Sequence, residues 1–192
     1  MRGTLGGIRG LVITVVALAA LASGPASAPG AAGPSLFPLG ARATWTLADE
    51  NGSELKIRST RSSPAYVLHG FPGFAALRVR AAGRGVQAWD ARAGWKQFLR
   101  LGAAAGARYR VDLSASPFWR AVDVTVSRAS CHVGTRIVRG CVTLEVRALE
   151  PMADAGVERL VFAPGIGPVE VVVQTIAGPR SYALGKTGPS SP

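Results

Sequence analysis

Four side chains could carry acid–base chemistry: His69, Asp90, Asp123 and Glu145. His69 lies in His69-Gly70-Phe71-Pro72-Gly73, which is turn chemistry first. A general base also needs a nucleophile and an orienting acid, and the spacing around His69 supplies neither. The eleven acids are spread singly, apart from Asp49-Glu50, and that pair sits in Asp49-Glu50-Asn51-Gly52, a hairpin-turn sequence. Gly83-x-Gly85-x-x-Ala88 resembles a shortened dinucleotide loop. Such a loop must open a helix, and the turn residues Asp90 to Gly94 follow instead, so it reads as a β-turn. No G-x-S-x-G occurs, so a nucleophile elbow is not supported. The expectation is therefore no catalytic residue and no cofactor, unless residues converge only in three dimensions.

Two cysteines, Cys131 and Cys141, stand ten positions apart with Gly134 and Gly140 between them. In an exported chain the compartment permits a disulfide, which would contribute about 2–3 kcal/mol by closing so short a loop. Free thiols are the alternative. A metal site with His132 is disfavoured, because zinc wants three or four ligands and the only other histidine is His69. Continuing the flanking alternation places both cysteines on the face away from the core.

The bases are more informative. Of 22 Lys and Arg, 19 are Arg, and pairs alternate at period two: Lys56 with Arg58, Arg78 with Arg80, Arg108 with Arg110. On a strand each pair shares the face opposite the apolar set. Arg78, Arg80, Arg108 and Arg110 would form a basic outer stripe if their strands were neighbours, able to hold phosphate, sulfate or acidic sugar through bidentate contacts. The plainer reading is a solvated face. It is favoured because acids and Arg also alternate and no aromatic residue interleaves the pairs, which also argues against nucleic acid as a partner.

The elements positioning these residues are strands. Leu77 and Val79 alternate with Arg78 and Arg80; Val122, Val124 and Val126 with Asp123 and Thr125; Val142, Leu144 and Val146 with Thr143 and Glu145. Trp89-Asp90-Ala91-Arg92-Ala93-Gly94-Trp95 reads as a tight hairpin, with Asp as a side-chain acceptor and Gly where φ turns positive. Val169 to Ile176 is apolar on both faces, as a doubly covered strand would be. Nine or ten strands with meander connections are expected. The fold class is all-β: an antiparallel, strongly curved sheet, either a sandwich or a partly closed barrel.

The 192 residues are 48% hydrophobic, enough for one domain and against intrinsic disorder. No stretch reaches the roughly 18 consecutive apolar residues that a membrane-spanning helix needs. Arg2 and Arg9 precede the apolar run Leu11 to Ala22, and Ser23-Gly24-Pro25 breaks it. Ala20-Leu21-Ala22 and Ala26-Ser27-Ala28 both fit the A-x-A pattern, so residues 1–28 read as a signal peptide cleaved after Ala22 or Ala28. No cysteine follows to take a lipid. Residues 29–35 read as a flexible lead-in, 36–184 as the β domain and 185–192 as a disordered tail. The expected location is the periplasm or the cell exterior, with no transmembrane anchor. The whole chain carries a formal charge of +11, and most of it remains once residues 1–28 are removed.

Phe37-Pro38-Leu39 with Trp45, Phe98-Leu99-Arg100-Leu101-Gly102-Ala103 with Gly106, Val133-Gly134-Thr135 before Cys141-Val142, and Phe162-Ala163-Pro164-Gly165-Ile166-Gly167-Pro168-Val169 carry a resemblance. In that order they resemble a family of exported bacterial β-rich domains that open with FPL-x-x-G-x-x-W and close with FAPGVGxV. Arg136 and Ile166 depart from its pattern. The resemblance implies a curved antiparallel sheet in the envelope or outside the cell, with no established activity. On physical grounds Pro164, Gly165 and Gly167 shape a turn between a strand ending at Phe162 and one restarting at Val169. Phe162 and Trp45 read as core anchors. The expected function is a non-catalytic exported module binding an apolar or anionic envelope component, a lipid or an anionic polymer. An enzyme or a purely structural envelope protein are the alternatives.

Overall fold

A computed structural model describes residues 35–149 and 155–184; the expected leader, nearly all of the lead-in and the tail lie outside them. Alternation at period two dominates the described chain, and twelve strands result: β1 Thr44–Ala48, β2 Glu54–Ser62, β3 Ala65–His69, β4 Ala76–Ala82, β5 Gly85–Asp90, β6 Gly94–Leu99, β7 Arg108–Val111, β8 Val122–Val133, β9 Arg136–Ala148, β10 Gly156–Ala163, β11 Gly167–Thr175 and β12 Gly178–Leu184. Twelve replace the nine or ten expected, because short runs such as Ala65–His69 give too few alternations to register in the sequence.

All twelve form one antiparallel sheet in the order β6-β5-β4-β3-β2-β1-β12-β11-β10-β9-β8-β7. Every neighbour is therefore also a neighbour in sequence, except β1 with β12, which pair at Leu47↔Leu184 and Ala48↔Ala183. The edge strands β6 and β7 are consecutive in sequence, and the sheet curls until they meet at a seam. Side chains bridge it: Lys96 Nζ donates to the Asp112 carbonyl at 2.7 Å, and the Arg100 N–H to the Tyr109 hydroxyl at 3.1 Å. The result is an up-and-down barrel lacking one ladder of hydrogen bonds, with two short edges tied together by these side-chain bonds.

Its inner face is the core. Leu77 and Val79, Val122, Val124 and Val126, and Leu144, Leu160 and Val171 point in and are buried, while Arg78, Arg80 and Glu145 between them are exposed. Eight strands already make room for side chains to fill a barrel, so twelve leave space that strands alone do not occupy. Folded-in loops take it up. At one end Phe71 and Phe74 of the β3–β4 turn meet Phe98 and Trp119, and the Trp119 indole donates to the Pro72 carbonyl at 2.9 Å. At the other end Phe37 of the lead segment packs on Trp45 and Phe162, with ring centroids 5.2 and 5.5 Å away. Trp45 and Phe162 are thus core anchors as expected. With an apolar inside and a charged outside, the barrel has the inverse polarity of one that spans a membrane. Among the described residues no helix is long and apolar enough to cross one.

The Phe162-to-Val169 block is the shaped turn that its composition predicts. Both Gly165 (φ 73°) and Gly167 (φ 104°) lie in the left-handed region. Strand β10 runs one residue further than expected, to Ala163, and β11 restarts two residues earlier, at Gly167.

Cys131 and Cys141 form a disulfide. The expected outward placement of both is corrected: Cys141 is 1% exposed and belongs to the core, and Cys131 packs against it. A bulge between Ala129 and Cys131, opposite Gly140 at φ 75°, shifts the phase of the hairpin. Alternation extrapolated past that bulge no longer fixes the face of Cys131, because the side-chain period is two.

Candidate functional site

Strand β4 places Arg78 and Arg80 outward because Leu77 and Val79 on the same strand must face the core. Across the ladder Val79 pairs with Ala88 and Arg80 with Gln87, so Trp89 falls opposite Arg78. Trp89 in turn pairs with Trp95 on β6. The turn joining them forms as its sequence predicts: Asp90 Oδ1 accepts the N–H groups of Arg92 and Ala93 at 2.9 and 3.1 Å. This hairpin sets two indoles edge to face, with centroids 5.4 Å apart, on the outer wall.

The guanidiniums lie on those rings. Arg80 sits 4.5 Å from the Trp95 centroid, while Arg78 is 5.6 Å from Trp95 and 5.7 Å from Trp89. Arg80 Nε also donates to Gln87 Oε1 at 2.8 Å. Cation–π contact and the amide restrain two long side chains that would otherwise sample many rotamers. The expectation that no aromatic interleaves the Arg pairs is therefore corrected. The Trp residues come from the next two strands, and cross-strand neighbours cannot be seen along one strand's sequence.

Arg108 and Arg110 do not join this cluster. They lie on β7, separated from β4 by β5, β6 and the seam, so the four Arg make no continuous stripe. Arg110 Nε is 3.4 Å from Asp123 Oδ1 in an exposed pair. Other Arg are similarly matched to acids: Arg159 binds Glu170 at 2.6 Å, which raises the Arg159 pKa, and Arg180 lies 3.7 Å from Asp49. Neither Arg78 nor Arg80 is in these pairs.

The distribution of charge follows the same division. Strands β2 through β7, residues 54–111, carry eleven Lys and Arg against two acids, Glu54 and Asp90, and Asp90 is buried. Residues 112–184 carry seven of each sign. Nearly all the net charge of the folded chain thus sits on one half of the barrel wall.

The four acid–base candidates occupy separate places. His69 ends β3, where its Nε2 lies 3.3 Å from Thr60 Oγ1. Asp90 is held by four donors, since its Oδ2 also accepts the Ser114 N–H at 2.6 Å and the Ser114 hydroxyl at 2.8 Å. Those bonds, the backbone one foremost, hold its carboxyl well below the usual carboxylate range. Asp123 and Glu145 stand on β8 and β9, facing Arg110 and the neighbourhood of Arg159 respectively. The Asp90–Ser114 contact spans 24 residues and carries no sequence signal beyond the turn that it helps to shape.

A cleft of about 410 Å³ lies between the β1–β2 and β11–β12 turns, lined by Asp49, Asn51, Thr175 and Arg180 among others. Of its two carboxylates, Glu50 is exposed and Asp49 shapes the turn, for Asp49 Oδ1 accepts the N–H groups of Asn51 and Ser53 at 3.0 and 2.7 Å.

Comparison with family models, curated proteins and solved structures finds no match to this chain.

Proposed function

We propose that the chain is an exported, non-catalytic β domain of the cell envelope or exterior, and that it binds an anionic component there. The binding surface in this reading is the outer wall of β2 to β7. The observation that carries it is the concentration of net charge on that half, where the exposed Arg of β4 lie on indoles instead of acids. A surface with one dominant sign attracts polyanions and raises their rate of encounter. The apolar-ligand version of the sequence expectation has less support, since aromatic side chains and folded-in loops fill the concave face where such a ligand would sit. Export rests on the leader-like residues 1–28 and agrees with a disulfide in the folded domain. The resemblance to exported β-rich domains points the same way.

Elution of the exported protein from a dextran sulfate matrix along a salt gradient tests the reading. Neutralising Arg58 and Arg78 with Gln should bring elution to clearly lower salt, and neutralising Arg147 and Arg159 should not. Equal shifts for the two variants, or no retention of the native protein, would remove the charged wall as the binding surface.

A further inference from the structure

We infer that the Arg78–Arg80–Trp89–Trp95 cluster is a site for an acidic polysaccharide, in which the two stacked guanidiniums grip acid groups and the exposed part of Trp89 borders the sugar. The inference rests on the anion-binding reading above and names the ligand class for one part of that wall.

Three features of the cluster lead there. Stacking on an indole occupies the face of a guanidinium and leaves its edge, where the N–H donors are, free for a bidentate oxyanion. Arg80 keeps its terminal donors after Nε is given to Gln87, and Arg78 stands two residues away, about 7 Å along the strand. Two fixed forks at that spacing suit a ligand bearing repeated acid groups better than a single small anion. Secondly, amides border the forks. Gln87 uses its oxygen for Arg80 and retains its NH2, whereas Gln97, opposite it on β6, gives its NH2 to the carbonyls of Val86 and Leu99 and retains its oxygen. One amide donor and one amide acceptor are what hydroxyl groups require. Thirdly, Trp89 is 41% exposed, an apolar plate beside the charges.

The same features discriminate among polyanions. A nucleic acid base needs a whole aromatic face to stack on, and Arg80 lies over Trp95 and Arg78 over both rings, whereas the C–H groups of a sugar can rest on the part of Trp89 that stays exposed. A lipid surface rewards several apolar side chains that can enter it together. Trp89 stands alone in this respect, since the other exposed large hydrophobics of the described residues, Ile137, Leu149 and Ile176, lie on the other half of the chain.

The test uses conservative charge-retaining variants of the exported protein. Binding of polygalacturonate is measured at physiological ionic strength for the native protein, Arg78→Lys/Arg80→Lys and Arg108→Lys/Arg110→Lys, with melting curves to show that each is folded. Lysine keeps the charge but has no planar fork to stack or to chelate. The β4 variant should bind at least tenfold more weakly and the β7 variant as the native protein does. Trp89→Ala should also weaken binding. If the native protein binds and the β4 lysine variant binds equally well, the stacked-fork site is wrong while the anion-binding reading survives. If the native protein binds no polyanion, the broader reading fails first. Inorganic polyphosphate and single-stranded oligothymidylate serve as competing probes. Tighter binding of either one, lost in the same β4 variant, would overturn the polysaccharide assignment.

Discussion

Asp90 shows what a single residue contributes and how much of that is written locally. Its place in Trp89-Asp90-Ala91-Arg92-Ala93-Gly94 predicts a turn acceptor, and Oδ1 does that work. Oδ2 reaches across the seam to Ser114, a partner that no local pattern names. The carboxylate therefore fastens the β5–β6 hairpin to the loop after β7. Its folded pKa is depressed below the ordinary 3.8 by those hydrogen bonds. The stabilisation is fully present above that ordinary value and is lost as the pH falls from it toward the lower native one. Replacing Asp90 by Asn puts an amide NH2 against backbone donors, so the variant should melt below the native protein at pH 7. The gap should narrow as the pH is lowered below about 4, where the native carboxylate also begins to lose its advantage. Paired melts at pH 7 and pH 3 check this, and a gap that widens at pH 3 would contradict it. Tyr109, on the other side of the seam, is pushed up to about 12 by burial.

At the scale of elements, strands and their turns were legible where alternation is long and the turn residues are few. The Pro164-Gly165-Ile166-Gly167 turn is of this kind. The reason for glycine at the last position, however, lies elsewhere in the sequence. A Cβ on Gly167 would stand 2.5 Å from Trp45 Nε1 and 2.8 Å from its Cε2, and the same indole donates to the Ile166 carbonyl. Gly167 thus needs both a left-handed backbone and the absence of a side chain, so Gly167→Val should cost about 3 kcal/mol or more. That corresponds to a fall in Tm of roughly 6 °C or more for a domain this size. Gly156→Ala in β10 is the control, because its Cβ would meet nothing within 4 Å. Thermal melts should leave that variant at the native Tm, and an equal fall in both would mean that the indole does not constrain the turn. The hairpin of β8 and β9 marks the opposite limit. Its register shifts between Ala129 and Cys131, and nothing in the residue types announces a bulge before the strands are paired.

Over the whole molecule, all-β class and meander connections followed from short alternating runs, but closure did not. Pairing of β1 with β12 joins residues 137 positions apart at Leu47↔Leu184, and alternation carries no information at that distance. The Arg–Trp cluster was hidden for a related reason, since its members come from three strands and become neighbours only through register. Closure has a consequence that can be tested by moving the chain ends. Because every strand pairs with its sequence neighbours except β6 with β7, and β1 pairs with β12, the one interruption in the ring of ladders is the β6–β7 seam. Breaking the backbone there severs no ladder. Ala104 and Ala105 are exposed in the connecting loop, while Leu101 and the carbonyls that accept from Arg128 stay on one side of the cut. Ser35 and Leu184 lie at the same end of the barrel, the former bonded to Gly165, so a short Gly/Ser linker can join them. A circular permutant beginning at Ala105 and ending at Ala104 should therefore fold to the same sheet and unfold in one cooperative transition. A second permutant, cut between Thr135 and Arg136, would instead separate β8 from β9, the most extensive pairing in the sheet, and also open the loop that the disulfide closes. It should melt at lower temperature than the first. Circular dichroism melts of the two decide it: if the seam permutant is unfolded while the hairpin permutant is native-like, the seam is not the place where the barrel is open.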